Sequence, residues 1–127
     1  MPTLYWSGNS GNSYGFHIYP VGTEFIPSPA VYMLCHEFLH GGVLKYGALY
    51  VGEAESLYDR LNADVASGRH DGYKRAQAYG LTHIGLHFVA SEPDRLWIEK
   101  DIRHGVNPVC NREPVPLSAL GSFNLKF

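Results

Sequence analysis

The feature that most constrains this chain is a change in hydrophobic period at Gly52. Before it, two short apolar runs, 30–35 and 48–51, have the length and composition of buried strands. After it, apolar residues recur at helical spacing and define one face of a helix. The residues on that face are Ala54, Leu57, Tyr58, Leu61 and Val65. Strands followed directly by a helix predict a mixed α+β domain and exclude a helix bundle.

Five further segments complete the predicted order of elements. Two aromatic segments, 3–6 and 14–19, flank a turn rich in Gly, Asn and Ser and predict a β-hairpin. A second helix is predicted over 71–79, and a half-buried strand over 82–90, where apolar and polar residues alternate. A last helix over 91–104 opens on Ser-Glu-Pro-Asp, which is typical of a capped helix start. We therefore predict a small central antiparallel or mixed sheet flanked by helices, with an N-terminal hairpin.

Length and charge limit the classes of function. The chain has 127 residues and a formal net charge of −2, so it is one domain long and has no overall positive field. Any contact with nucleic acid must therefore come from a local basic patch. Hydrophobic residues make up 45% and charged residues 17%, which excludes a disordered chain or a coiled coil.

Three features favour a cytoplasmic location. Cys35 and Cys110 lie far apart without a CxxC pattern, which indicates buried thiols in a reducing compartment. No apolar stretch approaches the ~20 residues that cross a membrane. Residues 1–15 lack the basic start and apolar run of a signal peptide. We expect a cytoplasmic protein that does not contact a membrane.

Residues 36–40 read HEFLH and match the HExxH pattern of zinc peptidases. On a helix, His36 and His40 would share a face and bind zinc, with Glu37 as general base. The preceding residues have strand character, however, and two glycines follow at 41–42, which leaves no room for a helix. The pattern favours a solvated loop between two strands, with a zinc peptidase as the lesser alternative.

A longer constellation extends from the first buried strand to the end of the last helix. Its elements, in order, are AVY at 30–32, YVG at 50–52, Arg60 in the first helix, Glu99 in the last, and P-x-x-N at 108–111. In order and in element type, this constellation resembles the GIY-YIG nuclease family. The resemblance covers residues 30–112, leaving 1–29 as a hairpin extension and 113–127 as a C-terminal tail.

The resemblance implies a metal-dependent endonuclease that hydrolyses phosphodiester bonds in DNA. It implies Tyr50 as general base and Tyr32 as its hydrogen-bonded helper. Arg60 would bind the phosphate, and Glu99 would hold one mostly hydrated Mg²⁺ or Mn²⁺ ion. Asn111 would fix the local geometry. Because a free tyrosine has a pKa near 10, the base role requires a pKa lowered by Arg60 and the metal.

Two carboxylates depart from the family pattern. Glu53 follows the YVG tripeptide, and Asp64 stands four residues after Arg60, where the family often has His or Tyr. Both would repel a phosphate unless they bind metal. His70 is a candidate for the missing catalytic position. These departures favour, as an alternative, a non-catalytic module that binds nucleic acid on the same fold.

The start of the second helix carries the one local cluster of basic and aromatic residues in the sequence. Its candidate nucleic-acid-binding residues are Arg69, Tyr73, Lys74 and Arg75. Arginine and lysine would contact the backbone, and the tyrosine would stack on a base. DNA is thus the expected partner, and because the core is small we expect a homodimer or a partner protein to supply affinity.

Overall fold

The structure is a computed structural model that describes residues 3–112, in which five antiparallel strands form one sheet. The strands are β1 (Thr3–Ser7), β2 (Ser13–Pro20), β3 (Ala30–His40), β4 (Val43–Ala54) and β5 (His83–Phe88). Their order across the sheet is β1-β2-β5-β3-β4. The α+β class and the antiparallel sheet are confirmed, while the predicted C-terminal tail lies outside the described residues.

Helices follow β4 and β5, as the hydrophobic periods predict. They are a π-helical segment (Tyr58–Ala63) that runs into α1 (Asp64–Ala66), then α2 (Asp71–Ala78) and α3 (Glu92–Val106), with a 3₁₀ turn at Val109–Asn111. The Ser91 hydroxyl accepts a hydrogen bond from the Asp94 N–H at 3.4 Å and so caps the start of α3. No helix between residues 3 and 112 is long and apolar enough to cross a membrane.

Helices cover both faces of the sheet, and a hydrophobic core cluster lies on each face. The first core cluster contains Tyr32, Leu34, Leu57, Leu61 and Ala76 and lies between the sheet and the π-helical segment with α2. The second contains Val31, Met33, Val51 and Ile102 and lies between the sheet and α3. We name these the α2 face and the α3 face. The two cysteines are free and buried, as predicted.

The N-terminal hairpin belongs to the same sheet as the rest of the chain. Strand β2 pairs with β5 from His17 opposite Leu86 to Pro20 opposite His83. The turn of the hairpin is also attached to α3, because the Asp101 carboxylate accepts hydrogen bonds from the Ser10 N–H (2.8 Å) and from the hydroxyls of Ser10 (2.6 Å) and Tyr14 (2.7 Å). The hairpin therefore covers the edge that β5 would otherwise expose.

The HEFLH segment belongs to β3, so both interpretations of it need correction. Residues 36–40 pair with 43–47 of β4, and the chain reverses at Gly41 and Gly42, with φ angles of 59° and 76°. This is the two-residue turn with two left-handed positions that tight hairpins require. Residues four apart in a strand are separated by about 13 Å. His36 and His40 therefore cannot chelate one zinc ion, and the zinc-peptidase alternative is wrong.

The first helix also starts later than predicted. Strand β4 continues to Ala54, which pairs with Ala30, so the residues of 52–54 are extended. The helical conformation begins at Leu57 and the π-helical segment at Tyr58, and the Ser56 hydroxyl accepts a hydrogen bond from the Asp59 N–H at 3.3 Å. The spacing of apolar residues alone places the start of the helix too early, because the Ala54 side chain also faces the core when residue 54 belongs to a strand.

Candidate active site

Tyr32 and His70 form a buried hydrogen-bonded pair on the α2 face. Their exposed fractions are 1% each, and the Tyr32 hydroxyl lies 2.7 Å from His70 Nε2. His70 is also the N-cap of α2, where its Nδ1 accepts a hydrogen bond from the Tyr73 N–H at 3.1 Å. Because Nδ1 is the acceptor, the imidazole proton resides on Nε2, and Nε2–H donates to the Tyr32 oxygen.

Burial keeps both members of this pair neutral. Burial, with the positive charge of Arg60 as second cause, lowers the pKa of His70 to about 4. Burial, with the neighbouring Tyr50 as second cause, raises the pKa of Tyr32 far above its ordinary value near 10. At neutral pH the pair is thus a neutral imidazole that donates to a neutral phenol. Tyr32 is a positioning group in this arrangement and not a base.

Tyr50 completes a cluster of three rings. Its ring centroid lies 6.2 Å from that of Tyr32 and 5.4 Å from that of His70, the latter nearly perpendicular at 74°. Gly72, in the first turn of α2, leaves the space that the Tyr50 ring occupies, since a Cβ at position 72 would lie 2.5 Å from a ring carbon. Tyr50 is half-buried. Of the two tyrosines, it is therefore the one that solvent reaches.

Arg60 reaches the same face from the π-helical segment, a conformation that occurs frequently at functional sites. Its Nη1 lies 3.3 Å from Asp64 Oδ2, and Asp64 Oδ1 lies 3.1 Å from Arg69 Nη2. The hydrogen bond from Arg69 is the main reason that the pKa of Asp64 falls below its usual range, and Arg60 adds to it. Asp64 thus bridges two arginines, including the predicted phosphate ligand.

Glu99 comes from α3, on the opposite face of the sheet from the two tyrosines. Its Oε1 lies 3.3 Å from Arg103 Nε. Burial raises the pKa of Glu99, and the charge of Glu53 on β4 adds to the rise although Arg103 opposes it. Because β4 is the edge strand, side chains from both faces can meet beyond it. The sheet itself, however, separates the Glu99 helix from the ring cluster.

Among residues 3–112, no group of three or more His, Cys, Asp or Glu side chains lies together in a way that could hold a metal ion. Mg²⁺ needs fewer protein ligands than that, because it retains several waters and is commonly bound through one or two carboxylates. The half-buried Glu99, with Glu53 near it, fits this chemistry.

Asn111 stabilises the edge strand. Its Nδ2 donates to the Val51 carbonyl and its Oδ1 accepts from the Val51 N–H, both at 2.8 Å. These two bonds satisfy backbone groups that an edge strand would otherwise leave to solvent. Asn111 thus holds the backbone of β4 at Val51, and its part in the site stays a prediction.

The predicted nucleic-acid-binding cluster is divided by the fold. Tyr73 is 8% exposed and packs in the core, so the expected stacking role for it is wrong. The Arg75 guanidinium also binds within the protein, because its Nη2 donates a hydrogen bond to the Cys110 carbonyl at 2.9 Å. Arg69 and Lys74 remain on the surface.

A cleft of about 790 Å³ lies next to Arg60 and joins the two faces at one end of β4. Arg60 and Asp64 line it from one side, and Glu53 and Arg95 from the other. Arg95 is 2% exposed and donates from Nε to Glu53 at 3.0 Å, so the charge of Glu53 is compensated. Nothing in the sequence marks Arg95 as a site residue, because its position at the start of a capped helix gives no sign that it is buried.

Comparisons with known proteins do not identify a family. No family model matches the chain, and neither a curated protein nor a solved structure matches it. The resemblance to GIY-YIG nucleases therefore depends on the order and spacing of the residues.

The close approach of Gly52 to Tyr32 gives a first prediction. A Cβ at position 52 would lie 2.5 Å from the Tyr32 hydroxyl oxygen, and the buried ring has no space into which it can move. We expect Gly52→Ala to lower the free energy of unfolding by about 2 kcal/mol, as measured by urea denaturation. Gly47→Ala in the same strand is the control, because its Cβ would meet its first neighbour at 3.8 Å. Equal urea midpoints for both variants would contradict the prediction.

Proposed function

We propose that the chain is a GIY-YIG-type endonuclease that hydrolyses phosphodiester bonds in DNA, with a GIY-YIG-like fold over residues 30–112. The observation that carries the proposal is the cluster of Tyr32, Tyr50, His70 and Arg60 on the α2 face. Two phenols, an imidazole and a guanidinium from distant parts of the chain converge there. Such a set suits the removal of a proton next to a charged phosphate.

Each residue of the cluster has a distinct role in this proposal. Tyr50, the half-buried phenol, takes the proton from the attacking water. The Arg60 guanidinium binds the phosphate oxygens. Tyr32 stays protonated and, held by His70, fixes the position of the Tyr50 ring. Asp64 must release Arg60 before the phosphate can bind.

Glu99 is the residue that would hold Mg²⁺ or Mn²⁺, with Glu53 as a second carboxylate. Glu53 lines the same cleft as Arg60, so an ion held by this pair would face the substrate across the edge strand β4. Burial is the main cause of the raised pKa of Glu99, and a cation bound there would offset the repulsion from Glu53 that adds to it. When bound, such an ion supplies positive charge to the phosphate oxygens and to the leaving oxygen. The chain contributes the carboxylates and, through Arg95 and Arg103, limits the net negative charge beside the substrate.

The proposal is tested by the nicking of supercoiled plasmid. We expect nicking with Mg²⁺ or Mn²⁺, none with EDTA, and a loss of about 100-fold or more in Glu99→Gln, because the variant keeps the shape but not the charge of the ligand. Glu24→Gln, at an exposed position between β2 and β3, is the matched control and should nick like the wild type. Unchanged nicking by Glu99→Gln would refute the metal role.

A non-catalytic module that binds nucleic acid is the second candidate. It is favoured by Asp64, which occupies both Arg60 and Arg69. Under this proposal the wild type retards DNA in a gel and leaves the plasmid intact with every divalent metal. In both cases we propose a cytoplasmic protein, with a second copy or a partner protein adding to the affinity for DNA.

A further inference from the structure

Beyond Cys35, the hairpin of β3 and β4 projects from the sheet as a two-stranded arm. Strand β5 pairs with β3 only from Ala30 to Cys35. We name residues 36–47 the hairpin arm. Its tip is exposed on both strands, and Phe38 keeps 42% of its surface accessible although it is a large apolar residue. An arm of this kind adds little to the core, so its exposed side chains need another explanation.

The two faces of the arm differ in charge. Cross-strand pairs alternate between the faces, with His36 opposite Gly47 and Phe38 opposite Lys45 on one of them. This face continues the α2 face, because His36 Nδ1 contacts the Gly80 carbonyl just after α2. We name it the basic arm face. Its charged or titratable residues are His36, His40 and Lys45.

The arm's only carboxylate lies on the other face. Glu37 pairs with Tyr46, whose hydroxyl donates to it at 2.7 Å, and the next pair there is Leu39 with Leu44. The basic arm face therefore has the positive charge of Lys45 and no carboxylate, next to the exposed ring of Phe38. Phe38 also stacks on His36, with ring centroids 6.1 Å apart and planes 12° from parallel. This arrangement presents a flat ring held in place beside positive charge.

We propose that the basic arm face binds the nucleic-acid strand that extends from the active site. Lys45 contacts a backbone phosphate, and Phe38 stacks on an unpaired base. Charge complementarity favours nucleic acid as the partner, since a face that has a lysine and no carboxylate attracts a polyanion. The nucleic-acid strand in question is the one that leaves the active site, because the basic arm face is continuous with the α2 face, which holds Tyr50 and Arg60. The proposal rests on nucleic acid being the substrate, as proposed above.

The test measures binding of a fluorescein-labelled single-stranded oligonucleotide by anisotropy at several salt concentrations. We expect Phe38→Ala to raise Kd about tenfold, since the variant loses the ring on which a base stacks, and Phe38→Tyr to restore the affinity. Lys45→Ala should raise Kd about threefold and reduce the slope of log K against log salt by about 0.7. Leu39→Ala, on the other face, and Lys100→Ala, on exposed α3 surface, are the controls.

Two results overturn the proposal. Unchanged Kd values in Phe38→Ala and Lys45→Ala would show that the arm does not bind the strand. An equal loss in Leu39→Ala would show that the arm acts through its apolar face, as in pairing with a second copy of the chain. Because all these positions are exposed, thermal unfolding should change little, and a matched Tm confirms that each variant is folded.

Plasmid nicking separates this proposal from the proposed function. The arm variants should raise KM and keep kcat, because the arm does not touch the reacting atoms. If the wild type nicks and the arm variants keep its KM, the arm proposal fails and the nuclease stands. If the wild type binds without nicking, the nuclease fails, and the Kd values decide the role of the arm. If the wild type neither binds nor nicks, both fail.

Discussion

Tyr50→Phe is expected to reduce the rate of plasmid nicking by about 10²–10³-fold, because a positioned general base contributes rate enhancement of about that size. The substitution removes one oxygen and keeps the ring that packs on Gly72 and meets the edge of His70. The free energy of unfolding should therefore change little. The rate is best measured in single turnover with protein in excess, so that product release does not mask the chemical step.

Tyr79→Phe is the matched control for this loss. Tyr79 follows α2 and is 57% exposed, and its ring is not part of the cluster with His70. The Tyr79→Phe variant should therefore nick plasmid at the wild-type rate. A Tyr50→Phe rate within twofold of the wild type would remove Tyr50 from the chemistry, and the geometry then leaves Arg60 as a binding group without a base beside it.

Hydrophobic period and strand pairing predict much of the backbone structure that supports this site. The apolar run that begins at Ala30 and the one that ends at Val51 both lie in strands. The alternation of apolar and polar residues through Ile84 marks the strand that pairs with β3. Tyr32 and Tyr50 share a face because both belong to paired strands, in which Tyr32 lies opposite Gly52 and Leu34 opposite Tyr50. These relations depend on period and pairing, which the sequence encodes locally.

The errors arise where tertiary contacts decide the outcome. The strand continuation through Phe38 depends on the two-glycine turn, which closes a hairpin as readily as it ends a helix. The burial of Tyr73 depends on which side of α2 meets the sheet. The placement of Glu99 across the sheet from Tyr50 depends on the face that α3 covers after β5. Spacing along the chain does not specify that face.

The Tyr32–His70 pair should make the stability of the protein depend on pH in a specific window. The pKa of His70 is about 4 in the folded protein against 6.5 for an ordinary histidine, so the unfolded chain binds more protons between these values. The stabilisation is fully present above pH 6.5 and is lost as pH falls from 6.5 to 4. A shift of this size corresponds to a loss of up to about 3 kcal/mol in the free energy of unfolding.

The hydrogen bonds of His70 predict the same direction of pH dependence as its lowered pKa. Protonation at Nδ1 would remove the acceptor that caps α2 at the Tyr73 N–H, and it would place a positive charge in a buried site near Arg60. The helix that supports Tyr50 through Gly72 would lose its N-cap in the same step.

The measurement is the urea midpoint from pH 7.5 to pH 4, with the m-value followed to confirm a two-state transition. His70→Asn keeps a side-chain acceptor at the N-cap but cannot titrate, so its midpoint should be lower than the wild type at pH 7 and should fall less between pH 6.5 and 4. His17→Asn, at an exposed position, should follow the wild-type curve. If His70→Asn does not fold, the ring protons of His70 in the wild type decide the question, because an NMR titration midpoint near 6.5 would contradict the buried, neutral donor to Tyr32.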